Sequence, residues 1–362
     1  MPTNKLPNQF LDRLGDIVGQ SLFSQIEKTF TQRPTTFRVN PLKHLSLAYR
    51  QAGTQAPEHF VSEILRENGF KVRNVPWYSD AFILQNKSKR ELMELPIYTE
   101  GKIYIQSLAS MVPPLVLGPK PGETVLDLTA APGSKTSQIA ALMHREGLPA
   151  EALAKAGELI ANDNNKVRFF KLKHNMEFLG VDENERVTFE SSRQAETLPQ
   201  PSPTRGGRFL TLRMEDGSHL CGEYPNYFDK ILLDAPCSAE ARFIAGDPKT
   251  YGYWSEKKIK DMAYKQRKLL FSAWHALKPG GTLVYSTCTF APEENEVQIS
   301  RLLERYDDVE TEDVASLLSG LKTMPPLKVW KGKALHPGVQ KAIRIFPTSE
   351  IEGFFVARLR KK

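Results

Sequence analysis

The chain has 362 residues, a formal charge of +7 and a pI near 9.1, with 40% hydrophobic and 25% charged residues. This is more than the ~250 to 300 residues over which a single core usually grows, so a catalytic domain with a smaller companion is expected. No apolar run approaches the ~18 residues of a membrane span, and the opening MPTNKLPNQF lacks the basic-then-apolar layout of a secretory signal, so the expectation is a cytoplasmic protein.

Taken in chain order, Phe10, Leu11, Leu14, Ile17 and Val18 follow helical spacing, and Phe60, Val61, Ile64 and Leu65 do so again. Short extended candidates lie around them: TFRVN (36–40), KVRNVPW (71–77) and AFILQ (81–85). A small α+β domain over residues 1–95 is predicted. From about residue 120 the pattern becomes strand, Gly-containing turn and helix, repeated. TVLDLTA (124–130), GELIANDN (157–164), FDKILLDAP (228–236) and GTLVYSTC (281–288) read as strands. KTSQIAALM (135–143) reads as a helix, and so does the stretch carrying Ile259, Met262, Gln266, Leu270 and Trp274, which the KPGG turn ends. Such alternation predicts an α/β domain over 96–362 with a largely parallel, Rossmann-like sheet covered on both faces. The polar, Pro-rich stretch 191–208 has no periodicity and reads as a flexible insertion.

Cys221, Cys237 and Cys288 cannot all pair, and none stands in CxxC spacing, so reduced thiols are expected. The seven histidines are scattered singly, and no metal is expected. Positive net charge suits a polyanionic partner, although many cytosolic proteins are mildly basic.

In VLDLTAAPGSKTSQIA (125–140) a strand runs through a small-residue turn into a helix, a geometry that brings backbone amides and the helix's positive end to a ligand or simply makes a tight connection. It is neither GxGxxG nor a phosphate loop ending in GKS/T. Asp163, at the tip of the next strand, is placed to accept hydrogen bonds from ribose hydroxyls or to cap the helix that follows. LLDAPCSAE (232–240) and YSTCTFAPEENE (285–296) each put a cysteine at the carboxyl end of an apolar strand, the edge where open α/β sheets assemble their sites. One buried cysteine is usually a small hydrophobe; two at equivalent strand ends point to chemistry.

These motifs, AAPGSKT, DAPCS and STC followed by EEN, resemble the set of the Nop/Sun (RsmB/Nop) family of RNA cytosine-C5 methyltransferases. IYIQSLASM (103–111), MEDGS (214–218) and HPG, RIFP and EGFFVARL (336–359) extend the resemblance over roughly 95–362, and FRVNPLK (37–43) resembles the RNA-side region before the family's core. The resemblance implies S-adenosylmethionine as cofactor and rRNA, favoured over tRNA, as the partner of a monomeric enzyme. It implies that Cys288 attacks carbon 6 of cytosine, that Cys237 assists product release and that Asp234 meets the base near ring nitrogen 3. It places Thr129, Ala130, Ala131, Pro132, Gly133, Ser134, Lys135, Asp163, Arg168, Asp216 and Asp234 around the cofactor, with Lys135 alternatively on RNA phosphate. DNA cytosine methyltransferases carry their nucleophile in the PC motif, so the second cysteine points to RNA.

Two departures bear on loop geometry: Ala239 stands where the family most often has Gly, and Ser107 where an acid commonly follows Gln. Basic residues Arg38, Lys43, Arg66, Lys71 and Arg73 are candidates for backbone contacts with an RNA whose target base is unpaired or flipped. Two other readings are an RNA-binding assembly factor that keeps the fold, disfavoured by the retained cysteines and Asp234, and an exocyclic amino-group methyltransferase, disfavoured by DAPC in place of D/N-P-P-Y/F.

Overall fold

The computed structural model describes residues 6–44, 57–144, 157–181 and 209–362; the predicted insertion 191–208 lies outside them. The helical spacing near the start is realised in α1 (Asn8–Val18), which is followed by α2 (Gln20–Glu27). Their apolar sides do not pack on the small N-terminal sheet. Phe10, Leu14, Ile17 and Ile26 share a core with Ala241, Phe243, Tyr251 and Phe290 from the catalytic half. Phe10 meets Phe30, Phe243 and Trp254 edge-on at centroid distances of 5.5, 4.9 and 5.7 Å, so the first helices are fastened to the loop that follows the DAPCS motif.

Next come β1 (Thr36–Val39), α3 (Pro57–Glu67), β2 (Val72–Val75), β3 (Tyr78–Leu84) and β4 (Ile103–Ile105), which form an antiparallel sheet in the order β2-β3-β1-β4. β4 lies beyond residue 95, the expected domain edge, and pairs with β1. Phe37 and Phe82 stack at 5.4 Å, with Val61 and Leu65 of α3 in the same core.

Burial overturns one expectation about this sheet. Arg38 is fully buried rather than on an RNA-facing surface. Its Nε donates to Gln106 Oε1 at 2.8 Å and its Nη2 to Ser137 Oγ at 2.6 Å, which ties β1 to the helix at 134–143. Arg73 is paired with Glu350 at 2.6 Å and Arg66 with Glu63 at 3.8 Å.

After α4 (Leu108–Leu117) the catalytic half runs β5 (Thr124–Asp127), α5 (Ser134–Met143), β6 (Glu158–Asn162), α6 (Lys166–Leu179), β7 (Leu210–Arg213), α7 (Gly217–Glu223), β8 (Phe228–Asp234), α8 (Glu256–Ala276), β9 (Leu277–Thr287) and α9 (Glu296–Arg305). It ends in β10 (Val309–Glu312), β11 (Thr323–Met324), the two-stranded ribbon β12 (Val329–Trp330) and β13 (Lys333–Ala334), β14 (Ile343–Ile345) and β15 (Phe354–Lys361). The main sheet has the order β11-β14-β15-β9-β8-β5-β6-β7, with β10 also on β15.

From β7 to β9 every pairing is parallel, as expected. Beyond β9 the sheet turns antiparallel through β15, β14, β11 and β10. For β14 and β15 the cause is connection length: the short run between them can close a hairpin, whereas a parallel pair needs a crossover of about a dozen residues or more. The chain winds outward from β5 to β6 and β7, then returns to β8 on the opposite side of β5. The connections that leave β5 and β8 therefore diverge and open a crevice at the strands' carboxyl ends.

Candidate active site

Both cysteine motifs end in that crevice. β8 and β9 are neighbours, with Asp234 opposite Ser286 in the ladder, so the residues just past each strand converge. Cys237 Sγ and Cys288 Sγ lie 3.4 Å apart. The residues after them are also joined, since Ser238 Oγ and Thr289 Oγ1 are 2.8 Å apart.

Each end of this hydroxyl pair rests on a buried glutamate. Glu294 accepts the Ser238 hydroxyl, the Ser238 N–H at 3.0 Å and Gln266 Nε2 at 2.8 Å. Glu240 accepts Thr289 Oγ1 at 2.9 Å, the Phe290 N–H at 3.1 Å and Trp254 Nε1 at 2.8 Å. Burial pushes Glu294 up to about 8, and burial raises Glu240 as well. The two carboxyls and two hydroxyls form one chain beneath the thiols and set their separation.

The thiols differ in their surroundings. A hydrogen bond from the Cys237 thiol and the positive charge of Arg242 lower the pKa of Cys288 against the cost of burial. The same hydrogen bond, burial and the neighbouring Cys288 and Glu294 raise that of Cys237. The two environments push in opposite directions, so Cys288 is the thiol whose anion is favoured and Cys237 the one whose anion is disfavoured. Arg242 is on the 3-10 turn Glu240–Arg242, which is docked on the end of β9 by an Ala241 N–H to Cys288 carbonyl bond of 3.1 Å.

This turn contains Ala239, which adopts φ 58°, ψ 31°. The backbone keeps the left-handed turn that Gly would favour and carries the Cβ in it, at a cost of roughly 1 to 2 kcal/mol. Ala239→Gly relieves that strain but adds freedom to the unfolded chain, about 0.4 to 1 kcal/mol in the other direction. A net gain of roughly 0.5 to 1 kcal/mol is expected in urea denaturation; a midpoint lowered by the entropy cost alone would show that the turn carries the Cβ without strain.

Asp234 is held on three sides: Oδ2 pairs with Lys135 Nζ at 2.6 Å, Oδ1 accepts Ser286 Oγ at 2.8 Å, and its carbonyl accepts Thr129 Oγ1 at 2.8 Å. Lys135 also donates to Ser110 Oγ at 2.9 Å. Two cavities meet over Asp234, sharing Thr129, Arg168 and Arg242. One, about 530 Å³, is lined by Asp163, Asp216, Cys237 and Cys288. The other, about 480 Å³, is lined by Ala130, Ala131, Pro132, Ser134 and Lys135. Together they fall in the size range of small-ligand sites.

Asp163 is buried, accepting the Asn165 N–H at 3.0 Å and facing Arg168 Nη2 at 3.2 Å; Arg168 also donates to the Ala131 carbonyl at 2.6 Å. Asp216 accepts the Ser218 N–H at 2.9 Å and its hydroxyl, which pull its pKa down. Asp127, beside the second cavity, is pushed up to about 7 by burial; Oδ2 accepts Thr136 Oγ1 at 2.7 Å, and Oδ1 has no partner among the described residues. Ser107, in the position of the family's acid, lines the same cavity with its Oγ unpartnered among the described residues.

Of the expected site residues, only Gly133 lies outside both cavity walls. It faces α6: a Cβ there would come within 2.6 Å of Met176 Cε, and φ is +101°. Glycine at this position is required for helix packing. Arg242, Glu240 and Asn162 were not anticipated. Asn162 joins the carbonyls of Leu128 and Glu215 at 3.1 Å each, holding the ends of β5 and β7 to β6, and lines the larger cavity. The EEN motif contained Glu294, but nothing in its spacing marks that residue as the support for Ser238.

A doubly wound sheet with its cavities at the β5/β8 switch point is the Rossmann-like methyltransferase fold. A solved methyltransferase homologue from Pyrococcus horikoshii superposes with a TM-score of 0.69 at 30% identity, covering 99% of this chain and 100% of that one. Residues 114–360 match the sequence profile of 16S rRNA methyltransferase RsmB/F, and the chain belongs to that family. It is 34% identical to the ribosomal RNA small subunit methyltransferase F of Pectobacterium atrosepticum over 98% of its length, but spans 63% of that relative. It is also 34% identical to the tRNA (cytosine(49)-C(5))-methyltransferase of Pyrococcus abyssi over 82% of each chain.

Proposed function

We propose that this protein methylates carbon 5 of cytosine in RNA, with rRNA as the substrate, using S-adenosylmethionine. The observation that carries the reading is the pair of thiols 3.4 Å apart at the ends of neighbouring strands, next to an Asp234 anchored by Lys135 and Ser286. Carbon 5 of cytosine is a poor nucleophile and needs electron density supplied through carbon 6.

The cavities suit the cofactor. The buried Asp163 is placed for ribose hydroxyls and Asp216 for the adenine side, and the unpartnered Asp127 Oδ1 is a buried acceptor at the cavity wall. Thr129 to Ser134, Lys135, Arg168 and Asp234 complete the surround, with Gly133 acting through packing. The bound cofactor would supply an electrophilic methyl group, its sulfur–methyl bond breaking to leave a neutral thioether. The Cys288 thiolate adds to carbon 6, forming the S–C bond as the ring's π electrons move to carbon 5, which takes the methyl group. Asp234 meets the base edge near ring nitrogen 3 as a hydrogen-bond partner, and Lys135, paired with it, supplies the positive charge that offsets the negative charge building on the ring. Cys237 as thiolate then removes the carbon 5 proton, the electron pair restores the ring double bond, and the S–C bond breaks to return the Cys288 thiolate.

Among the described residues no helix is long and apolar enough to cross a membrane; a cytoplasmic site of action follows from the proposed substrate. The test is to map 5-methylcytosine in rRNA and tRNA from cells with and without the gene. Loss of one rRNA position is expected; loss confined to tRNA would move the substrate, and no change in either would refute the activity.

A further inference from the structure

Of the five cations first expected to hold RNA, Arg38 is buried and Arg73 is paired with Glu350, while Arg66, Lys43 and Lys71 stand apart from the catalytic cavity's walls. A different basic surface stands at the mouth of the catalytic cavity. α8 buries Ile259, Met262, Gln266, Leu270 and Ala273. Its first 13 residues also carry Lys257, Lys260, Lys265 and Lys268, all exposed, with the acids Glu256 and Asp261 four residues before Lys260 and Lys265. Tyr264, one helical turn from both Lys260 and Lys268, is 51% exposed. Lys268 Nζ and Arg267 Cζ lie 4.8 and 5.4 Å from its ring centroid. Tyr264, Lys265 and Lys268 line the same cavity as Cys237 and Cys288.

We propose that this face of α8 grips the RNA strand beside the target nucleotide, with phosphates on Lys260, Lys265 and Lys268 and a neighbouring base on the ring of Tyr264. The proposal rests on the RNA-methylation reading above. A helix face that is merely solvated usually interleaves signs at i,i+4 and pairs them. Here none of these four lysines forms an ion pair among the described residues. Lys260 and Lys268 stand about 12 Å apart along the axis at 1.5 Å per residue. That is the span of three or four stacked nucleotides at about 3.4 Å each. An exposed aromatic ring flanked by cations matches the way single-stranded RNA is held, by stacking together with phosphate contacts.

The experiment compares the full chain with a K260A/K265A/K268A variant and its Lys→Arg counterpart. Binding of a single-stranded, cytosine-containing oligoribonucleotide is measured at several salt concentrations, with S-adenosylmethionine affinity and methyl transfer to total rRNA in parallel. Three lost phosphate contacts at a slope of about 0.7 each flatten the salt dependence by about 2, and RNA affinity near 0.2 M salt should fall on the order of ten- to thirtyfold. Cofactor affinity should fall far less than RNA affinity, since Asp163, Asp216 and the 129–135 turn are untouched, and the arginine variant should bind RNA like the wild type. Wild-type affinity and slope in the alanine variant, with wild-type protein methylating rRNA, would overturn the placement and leave the activity standing. Wild-type protein that neither binds nor methylates RNA would bring down the activity and the placement with it.

Discussion

Cys288→Ala is expected to abolish methyl transfer, a loss on the order of 10⁴-fold or more, while S-adenosylmethionine affinity stays near the wild-type value. In the proposed mechanism the thiolate acts on the base, and the groups assigned to the cofactor, Asp163, Asp216 and the 129–135 turn, make no hydrogen bond to the Cys288 side chain. Incorporation of labelled methyl groups into rRNA, with calorimetric titration of the cofactor, separates the two effects. Full turnover by the variant would rule out Cys288 as the nucleophile. The same site carries a pH signature: Arg242 helps to hold Cys288 below the ordinary thiol range, so the reactive thiolate exists at lower pH than in a free cysteine. Arg242→Gln removes that charge, raises the thiol's pKa and moves the acidic limb of the rate profile to higher pH; an unmoved limb would show that the guanidinium does not act on the thiol.

The proposed reacting groups stand out in the sequence because they lie within short motifs at strand ends, where apolar runs such as FDKILLD and LVYST mark where the chain leaves the sheet. The sequence did not make their supports legible. Ser238 and Thr289 belong to different motifs, and only the parallel pairing of β8 with β9 brings the two hydroxyls together. Arg242 was hidden for the same reason: its neighbour in space, Cys288, reaches it through the docked 240–242 turn.

Arg38 shows the opposite failure. In a four-residue strand, alternation cannot tell whether the second face meets water or another layer. β1 is buried at all four positions because the catalytic half covers it, so a cation read as surface became an internal tie to α5. The antiparallel half of the main sheet escaped too, since β11 is only two residues long and β14 three, too short to show a period.

Cys237→Ala is expected to trap a covalent protein–RNA adduct. In the resting site the hydrogen bond with Cys288, 3.4 Å away, is the first cause that raises the pKa of Cys237, followed by burial. Once Cys288 is bonded to carbon 6 it is a neutral thioether, so the first cause of the raised pKa disappears while Arg242 remains to favour a second thiolate. Bond formation at one cysteine thus releases the base that finishes the reaction at the other, and the proton leaves through the open cavity. Without Cys237 the addition and methyl transfer still proceed, but the carbon 5 proton has no acceptor within reach and the S–C bond persists. On a denaturing gel with labelled RNA, Cys237→Ala should give a slow-migrating band, reduced in the presence of excess unlabelled RNA only if the competitor is added first. Cys237→Ala combined with Cys288→Ala should give none. Normal product with no slow band from the single variant would show that another group removes the proton, and that the closeness of the two thiols serves only to acidify Cys288.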